Sequence, residues 1–132
     1  MNDFNTYLNN LDYSHVKDLF AEKGKLRTYH KKDFFIRQNE EERFAGWVKY
    51  GTFQYTYIDE EGEEYIVGYS FTDEFVCDYS SFMKGSLSLV SIQALTDCSV
   101  YEISRHDIIE CWETNMETQR FGRYVAENLY EM

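Results

Sequence analysis

Proline is absent from this chain of 132 residues. No segment is therefore a proline-rich linker. Basic residues are also scarce: 13 Lys and Arg stand against 24 Asp and Glu, for a net charge of −11. A phosphate backbone or an anionic bilayer would be repelled, which argues against direct contact of this segment with nucleic acid or membrane. No apolar run approaches the roughly 20 residues of a membrane span. The first residues show no basic stretch leading into an apolar run, so no export signal is expected. Cysteine is limited to Cys77, Cys98 and Cys111, an odd number at wide spacing with no CxxC. Reduced thiols in a cytoplasmic protein are the simplest expectation.

The motifs of common chemistries are missing too. There is no GxSxG, P-loop or GxGxxG. Ser80, Ser81, Ser86 and Ser88 have no evident partner base for nucleophilic work. His15, His30 and His106 are far apart and sit beside no carboxylate or cysteine at a metal spacing, so structural or exposed histidines are the favoured reading. The acidic run 59–64 lacks the ligand order of a calcium loop and reads as a solvated hairpin. No enzyme activity, metal or cofactor is expected.

What is present is 43% hydrophobic and 18% aromatic residues, a folded chain of one-domain length. Residues 2–23 read as helical, with Phe4, Tyr7, Leu8 and Leu11 on one face. Ser14 is placed to cap a second piece that carries Val16, Leu19 and Phe20 inward and ends at Gly24. The period then turns toward two, with Leu26, Thr28 and His30 alternating and a turn at Lys31–Asp33. Short strands follow at Phe34–Ile36, Ala45–Lys49 around Trp47, and Thr52–Ile58. Asp59-Glu60-Glu61-Gly62 is a hairpin turn, and Glu64–Phe71 returns. A strand Cys98–Ile103 closes the series. Many short strands spaced about 8–12 residues apart indicate a β-sandwich or roll.

The stretch Asp73–Val100 organises the rest. Phe75 and Val76 lead into a hydroxyl-rich turn, Cys77–Ser81. Phe82 and Met83 anchor it, Gly85 and Ser86 turn again, and Leu87, Leu89, Ile92 and Ala94 resume a strand pattern. Two readings stand: a nest of backbone amides suited to an anion, and a surface loop with ordinary turn chemistry. Cys77 likewise reads as a space-filling buried thiol, or as a reactive one if amides lower its pKa.

Ser104 with Asp107 is a capping-box signature before a long helix. Ile108, Ile109 and Trp112 form its apolar face, continued by Met116, Phe121, Tyr124, Val125, Leu129 and Met132. That stripe either packs on the roll or forms a homodimer seam through Trp112–Met132. The division is residues 1–104 for N-terminal helices and roll, and 105–132 for the C-terminal helices.

In that order, helix, β-roll, turn-rich insertion and terminal helix, the chain resembles the sensor domain of Crp/Fnr transcription regulators. The resemblance runs through Leu26–Asp33, the Gln38-Asn39-Glu40 element, Trp47-Val48-Lys49-Tyr50-Gly51 and the acidic hairpin Ile58–Glu64. It continues through Asp73-Glu74-Phe75-Val76-Cys77-Asp78 and Gln93–Cys98. It implies a mainly β fold, a double-stranded β-helix or jelly roll of the cyclic-nucleotide-binding type, with a long C-terminal helix. It also implies a ligand-sensing regulatory domain, dimerising through that helix, with DNA contacted by a further domain.

Nucleotide-binding members of that family carry a Gly-Glu pair for the ribose and an Arg followed by Ser or Thr for the cyclic phosphate. Cys77 and Asp78 stand at the first pair here, and Ser88 and Leu89 at the second. The cation for the phosphate is gone, and a serine does not replace a bond contributing about 1.5–3 kcal/mol. Tyr55 brings a ring where a smaller aliphatic is common. Cyclic AMP is therefore not the expected ligand. The expected site is Tyr55, Val67, Phe75, Val76, Cys77, Asp78, Tyr79, Ser80, Ser81, Ser86, Ser88 and Leu89, holding another small molecule. The alternatives are a ligand-free interaction or dimerisation module and, behind it, a cupin-type metal enzyme, for which only His30 falls in a strand-like segment.

Overall fold

The computed structural model describes residues 14–114. The elements are α1 (Ser14–Lys23), β1 (Lys25–Tyr29), β2 (Phe34–Ile36), β3 (Phe44–Tyr50), β4 (Phe53–Ile58) and β5 (Glu64–Ser70). They continue with β6 (Phe75–Val76), α2 (Tyr79–Lys84), β7 (Ser91–Ala94), β8 (Cys98–Ser104) and α3 (Arg105–Thr114). The strands form two four-stranded sheets, β1-β8-β3-β6 and β2-β7-β4-β5. Every pairing is antiparallel. The pairs β4·β5, β3·β6, β2·β7 and β1·β8 nest like the two legs of one long hairpin wound into a roll.

The hairpin tip is where the acidic run falls. Asp59 Oδ1 accepts the N–H groups of Glu61 (3.0 Å) and Glu63 (2.9 Å), and Gly62 takes φ +87°. That is Asx-turn chemistry with glycine at the left-handed position.

Strand β3 is buried along its middle on both faces because its sheet lies between the second sheet and a layer of helices. Between the sheets, Val48, Val76, Val100 and Tyr29 meet Phe53, Tyr55, Ile92 and Ala94. On the outer face, Ala45, Trp47, Phe75 and Ile103 meet Phe20 of α1, Phe82 of α2 and Ile108 of α3. Phe20 sets its ring edge-on to Phe75 at 5.9 Å, a favoured aromatic geometry. Gly46 makes room in the core between the sheets: a Cβ there would lie 2.5 Å from Val100 Cγ1 and 2.8 Å from Val76 Cγ1.

Several sequence expectations are met. Gly24 ends α1, its N–H bonded to Phe20 O at 2.9 Å. Ser104 Oγ accepts the Asp107 N–H at 3.2 Å, the cap expected for α3.

Others need correction. In β1, Tyr29 enters the core while Leu26 and Thr28 are exposed, because this edge strand is covered by the second sheet only at its C-terminal end. The strand expected over Leu87–Ala94 begins only at Ser91, with a single bridge between Glu41 and Leu87 before it. Leu87 and Leu89 are 55% and 64% exposed, so their alternation carries no core face. Trp112 falls within α3; Met116, Phe121, Tyr124, Val125, Leu129 and Met132, like the helix expected before Ser14, lie outside the described residues. Among the described residues no helix is long and apolar enough to cross a membrane.

Candidate functional site

The segment from β6 through α2 to β7 forms a cassette on the rim of the roll. Val76 is held by pairing with Gly46, so the next residues leave the sheet at a fixed point. The Cys77 N–H donates to Tyr55 Oη at 3.1 Å. Tyr55 Oη lies 2.8 Å from Ser70 Oγ, which donates to Phe75 O at 2.8 Å. The consistent proton order runs from the Cys77 amide to the tyrosine, the serine and the Phe75 carbonyl. Tyr55 is buried and its hydroxyl pKa is pushed upward by that burial. Its ring packs in the core between the two sheets.

Asp78 is the hinge of the cassette. Its N–H is shared by both oxygens of Glu42, at 2.9 and 3.0 Å. Its own Oδ2 accepts Ser81 Oγ at 2.8 Å and the Leu89 N–H at 2.9 Å. Ser88 is fully buried, and its hydroxyl lies 2.7 Å from Val90 O and 3.4 Å from Asp78 Oδ2. One proton serves the closer carbonyl better. The amide density expected to attract an anion is therefore already met by the protein's own carboxylates.

Of the residues expected to line one pocket, the structure divides the set. Tyr55 and Val76, with Val67 packed against them, face the roll interior. Phe75, Cys77 and Tyr79 face the helical layer. Ser81 and Ser88 are buried, Asp78 and Ser80 half-buried, and Ser86 and Leu89 exposed. Cys77 is a buried thiol whose pKa is pushed well up by burial, then by the Glu42 and Asp78 carboxylates. That burial is what the space-filling reading of the thiol expects.

A cation does reach the cassette, at the end opposite Asp78. Arg105 Nη2, at the start of α3, donates to Met83 O at 2.9 Å. Gly85 caps α2 in the left-handed region at φ +65°, and a Cβ there would meet Arg105 Nη1 at 3.1 Å. The first residue of α3 is thus locked to the cassette helix.

Nothing in the sequence pointed to the burial of Glu42 and Glu102 near this cassette. Glu42, 2% exposed, sits in a loop that reads as solvated charge. Burial pushes its carboxyl up to about 8, the Asp78 N–H opposing and the Asp78 carboxylate adding to the rise. Glu102, 5% exposed, lies on β8 and accepts the hydroxyl of Tyr29. Burial, then that bond, raise the Tyr29 pKa. The only available clue was the parity of β8, which puts Glu102 on the same face as Val100. His30 is exposed after β1, and His106 approaches Asp107 and Glu110 on the surface of α3.

The sequence matches the model of a family described as Cyclic nucleotide-binding domain over residues 26–115. No curated protein matches it. The fold is similar to the catabolite activator protein of Thermus thermophilus, with a TM-score of 0.77 at 16% identity, covering 92% of this chain and 56% of that one. It is similar to CLP, the c-di-GMP responsive global regulator of Xanthomonas campestris, with a TM-score of 0.74 at 18% identity, covering 89% and 58%. It is also similar to the sensor domain of the transcriptional regulator DNR from Pseudomonas aeruginosa, with a TM-score of 0.72 at 16% identity, covering 92% and 81%. The chain thus spans little more than half the length of the first two, 56% and 58%. At such identities the likeness is one of fold.

Proposed function

The chain belongs to the cyclic nucleotide-binding domain family, and from that premise we propose that it is a regulatory sensor domain of a Crp/Fnr-like transcription regulator whose cassette does not take cyclic AMP. One observation carries this reading. Asp78 accepts the Leu89 amide and the Ser81 hydroxyl, so a carboxylate already holds the amide that follows the lost arginine position at Ser88. An incoming phosphate would meet that charge, and the cation that reaches the cassette, Arg105, is bonded to Met83 O at the opposite end. Tyr55 adds a steric bar, because its hydroxyl is tied to both Cys77 and Ser70.

Output in this reading passes through α3. Arg105 joins the cassette helix to the start of α3, so a change at the cassette biases the helix position. Homodimerisation through Trp112–Met132, a cytoplasmic setting, a division near residue 104 and DNA contact by a separate domain complete the proposal. The domain acts by binding and not by catalysis.

Calorimetric titration with cyclic AMP and cyclic GMP tests the cassette. The expected result is no saturable heat at about 1 mM nucleotide, a free energy weaker than about −4 kcal/mol. Micromolar, saturable binding would overturn it. Sedimentation showing a monomer at high concentration would remove the dimer.

A further inference from the structure

Beside the cassette, the two sheets part and leave the inner face of the first sheet uncovered at one end. A cavity of about 170 Å³ opens there, lined among others by Tyr29, Phe35, Glu42, Phe44 and Glu102, with Arg27 and Arg43 also in its wall. A wider groove of about 390 Å³ shares Arg27, Phe44 and Glu102 with it and runs out past the exposed Lys23 and Lys25.

The buried charges of this mouth are acidic, while its rim is mixed: Glu41 also lines the cavity and pairs with Arg43 at 3.4 Å, and Asp107 lines the groove. Glu42 and Glu102 are buried. Among the described residues, Glu42 has one amide donor and no cation. Glu102 has Tyr29 and, at 3.5 Å, Arg27. The Arg27 and Arg43 side chains are 60% and 72% exposed, so their heads stand at the rim. A buried carboxylate short of positive charge is costly unless protonated or paired. Rings of Phe35, Phe44 and Tyr29 supply apolar and quadrupolar walls between the two levels.

We propose that this mouth is a second small-molecule site, distinct from the cassette, for a zwitterionic α-amino acid with an apolar side chain. Its ammonium group enters between Glu42 and Glu102. Its carboxylate meets Arg27, Arg43 or Lys25 at the rim, and its side chain packs on Phe35 and Phe44. A simple anion would meet the buried acidic groups, and a simple cation would leave Arg27 and Arg43 with only their long contacts to Glu102 and Glu41. A ligand bearing both charges satisfies both levels. Because Glu42 also holds the Asp78 amide, occupancy here bears directly on the cassette.

Thermal unfolding of the 132-residue chain tests it with three probes: L-leucine, 4-methylpentanoate, which lacks the amine, and 3-methylbutylamine, which lacks the carboxylate. L-leucine is expected to raise Tm by about 5 °C at roughly ten times its Kd, with smaller shifts for the other two. Glu102→Gln, which keeps an acceptor for Tyr29, is expected to weaken leucine binding at least about tenfold. Should that variant fail to fold, Glu42→Gln and the rim variant Phe44→Ala read the same loss. No shift with L-leucine at tens of millimolar overturns the proposal, as does an equal shift with either half-ligand. Folded Glu42→Gln and Glu102→Gln proteins that bind like the parent overturn it too.

Discussion

Asp78 in the cassette collects an amide from Leu89 and a hydroxyl from Ser81, whereas Glu42 at the mouth of the roll holds a single amide and, among the described residues, no cation. The two carboxylates are neighbours in one network, yet their surroundings differ in kind. Around Asp78 the donors come from a backbone turn that must place them somewhere, and the carboxylate completes the fold. Around Glu42 the protein removes water and supplies little in return, which is why its carboxyl titrates up to about 8. The comparison separates a polar cluster that serves structure from one that has capacity left for a proton or a ligand.

The largest effect is expected where the donors would be orphaned. Asp78→Ala leaves the Leu89 amide and the buried Ser81 hydroxyl without their acceptor, and should cost about 3 kcal/mol in urea unfolding. Asp78→Asn keeps one acceptor oxygen and should cost about half as much. Equal costs for the two would mean that charge, and not donor satisfaction, holds the cassette.

Two buried tyrosine hydroxyls sharpen the contrast. Tyr29→Phe strips Glu102 of its close donor and is expected to cost about 2 kcal/mol, as for bonds to charged groups. Tyr55→Phe removes a neutral link between Cys77 and Ser70 and should cost about 1 kcal/mol. A reversal of that order in paired melts would place the more demanding network in the cassette.

The pH dependence follows from Glu42. Its folded pKa, about 8, lies above the ordinary value of 4.5, so the native state binds the proton more tightly than the unfolded chain. Its contribution to stability is fully present below pH 4.5 and declines as pH rises toward 8, by at most ~1.4 kcal/mol per pH unit. Glu42→Gln keeps an acceptor for the Asp78 amide and should flatten that decline. An unchanged slope in the variant would show that another group titrates. The smallest effect belongs to Arg27→Gln, whose half-exposed 3.5 Å contact to Glu102 should change stability by less than about 1 kcal/mol.

Much of the roll could be read from local chemistry. The Asp59–Gly62 turn, the strand around Trp47, the Gly24 stop and the Ser104 cap each depend on residues within a few positions of one another. The departures at Cys77, Asp78, Ser88 and Leu89 were visible as residue types that cannot supply a positive anchor. Leu87 and Leu89 misled because alternation predicts a buried face only where a second layer covers it, and here none does. Glu42 misled in the opposite sense: it stands among charged neighbours, so nothing local announces its burial.

By itself the sequence determined the succession of strands and turns, the excess of negative charge and the serine at position 88, since these follow from residue identity and short spacing. Only the tertiary structure decided that Asp78 would turn back onto the Leu89 amide, and that Glu42 and Glu102 would share one cavity. Those outcomes depend on nesting β1 against β8 and β3 against β6. Burial is a property of what packs on a residue, and partners dozens of positions away in the chain supply it.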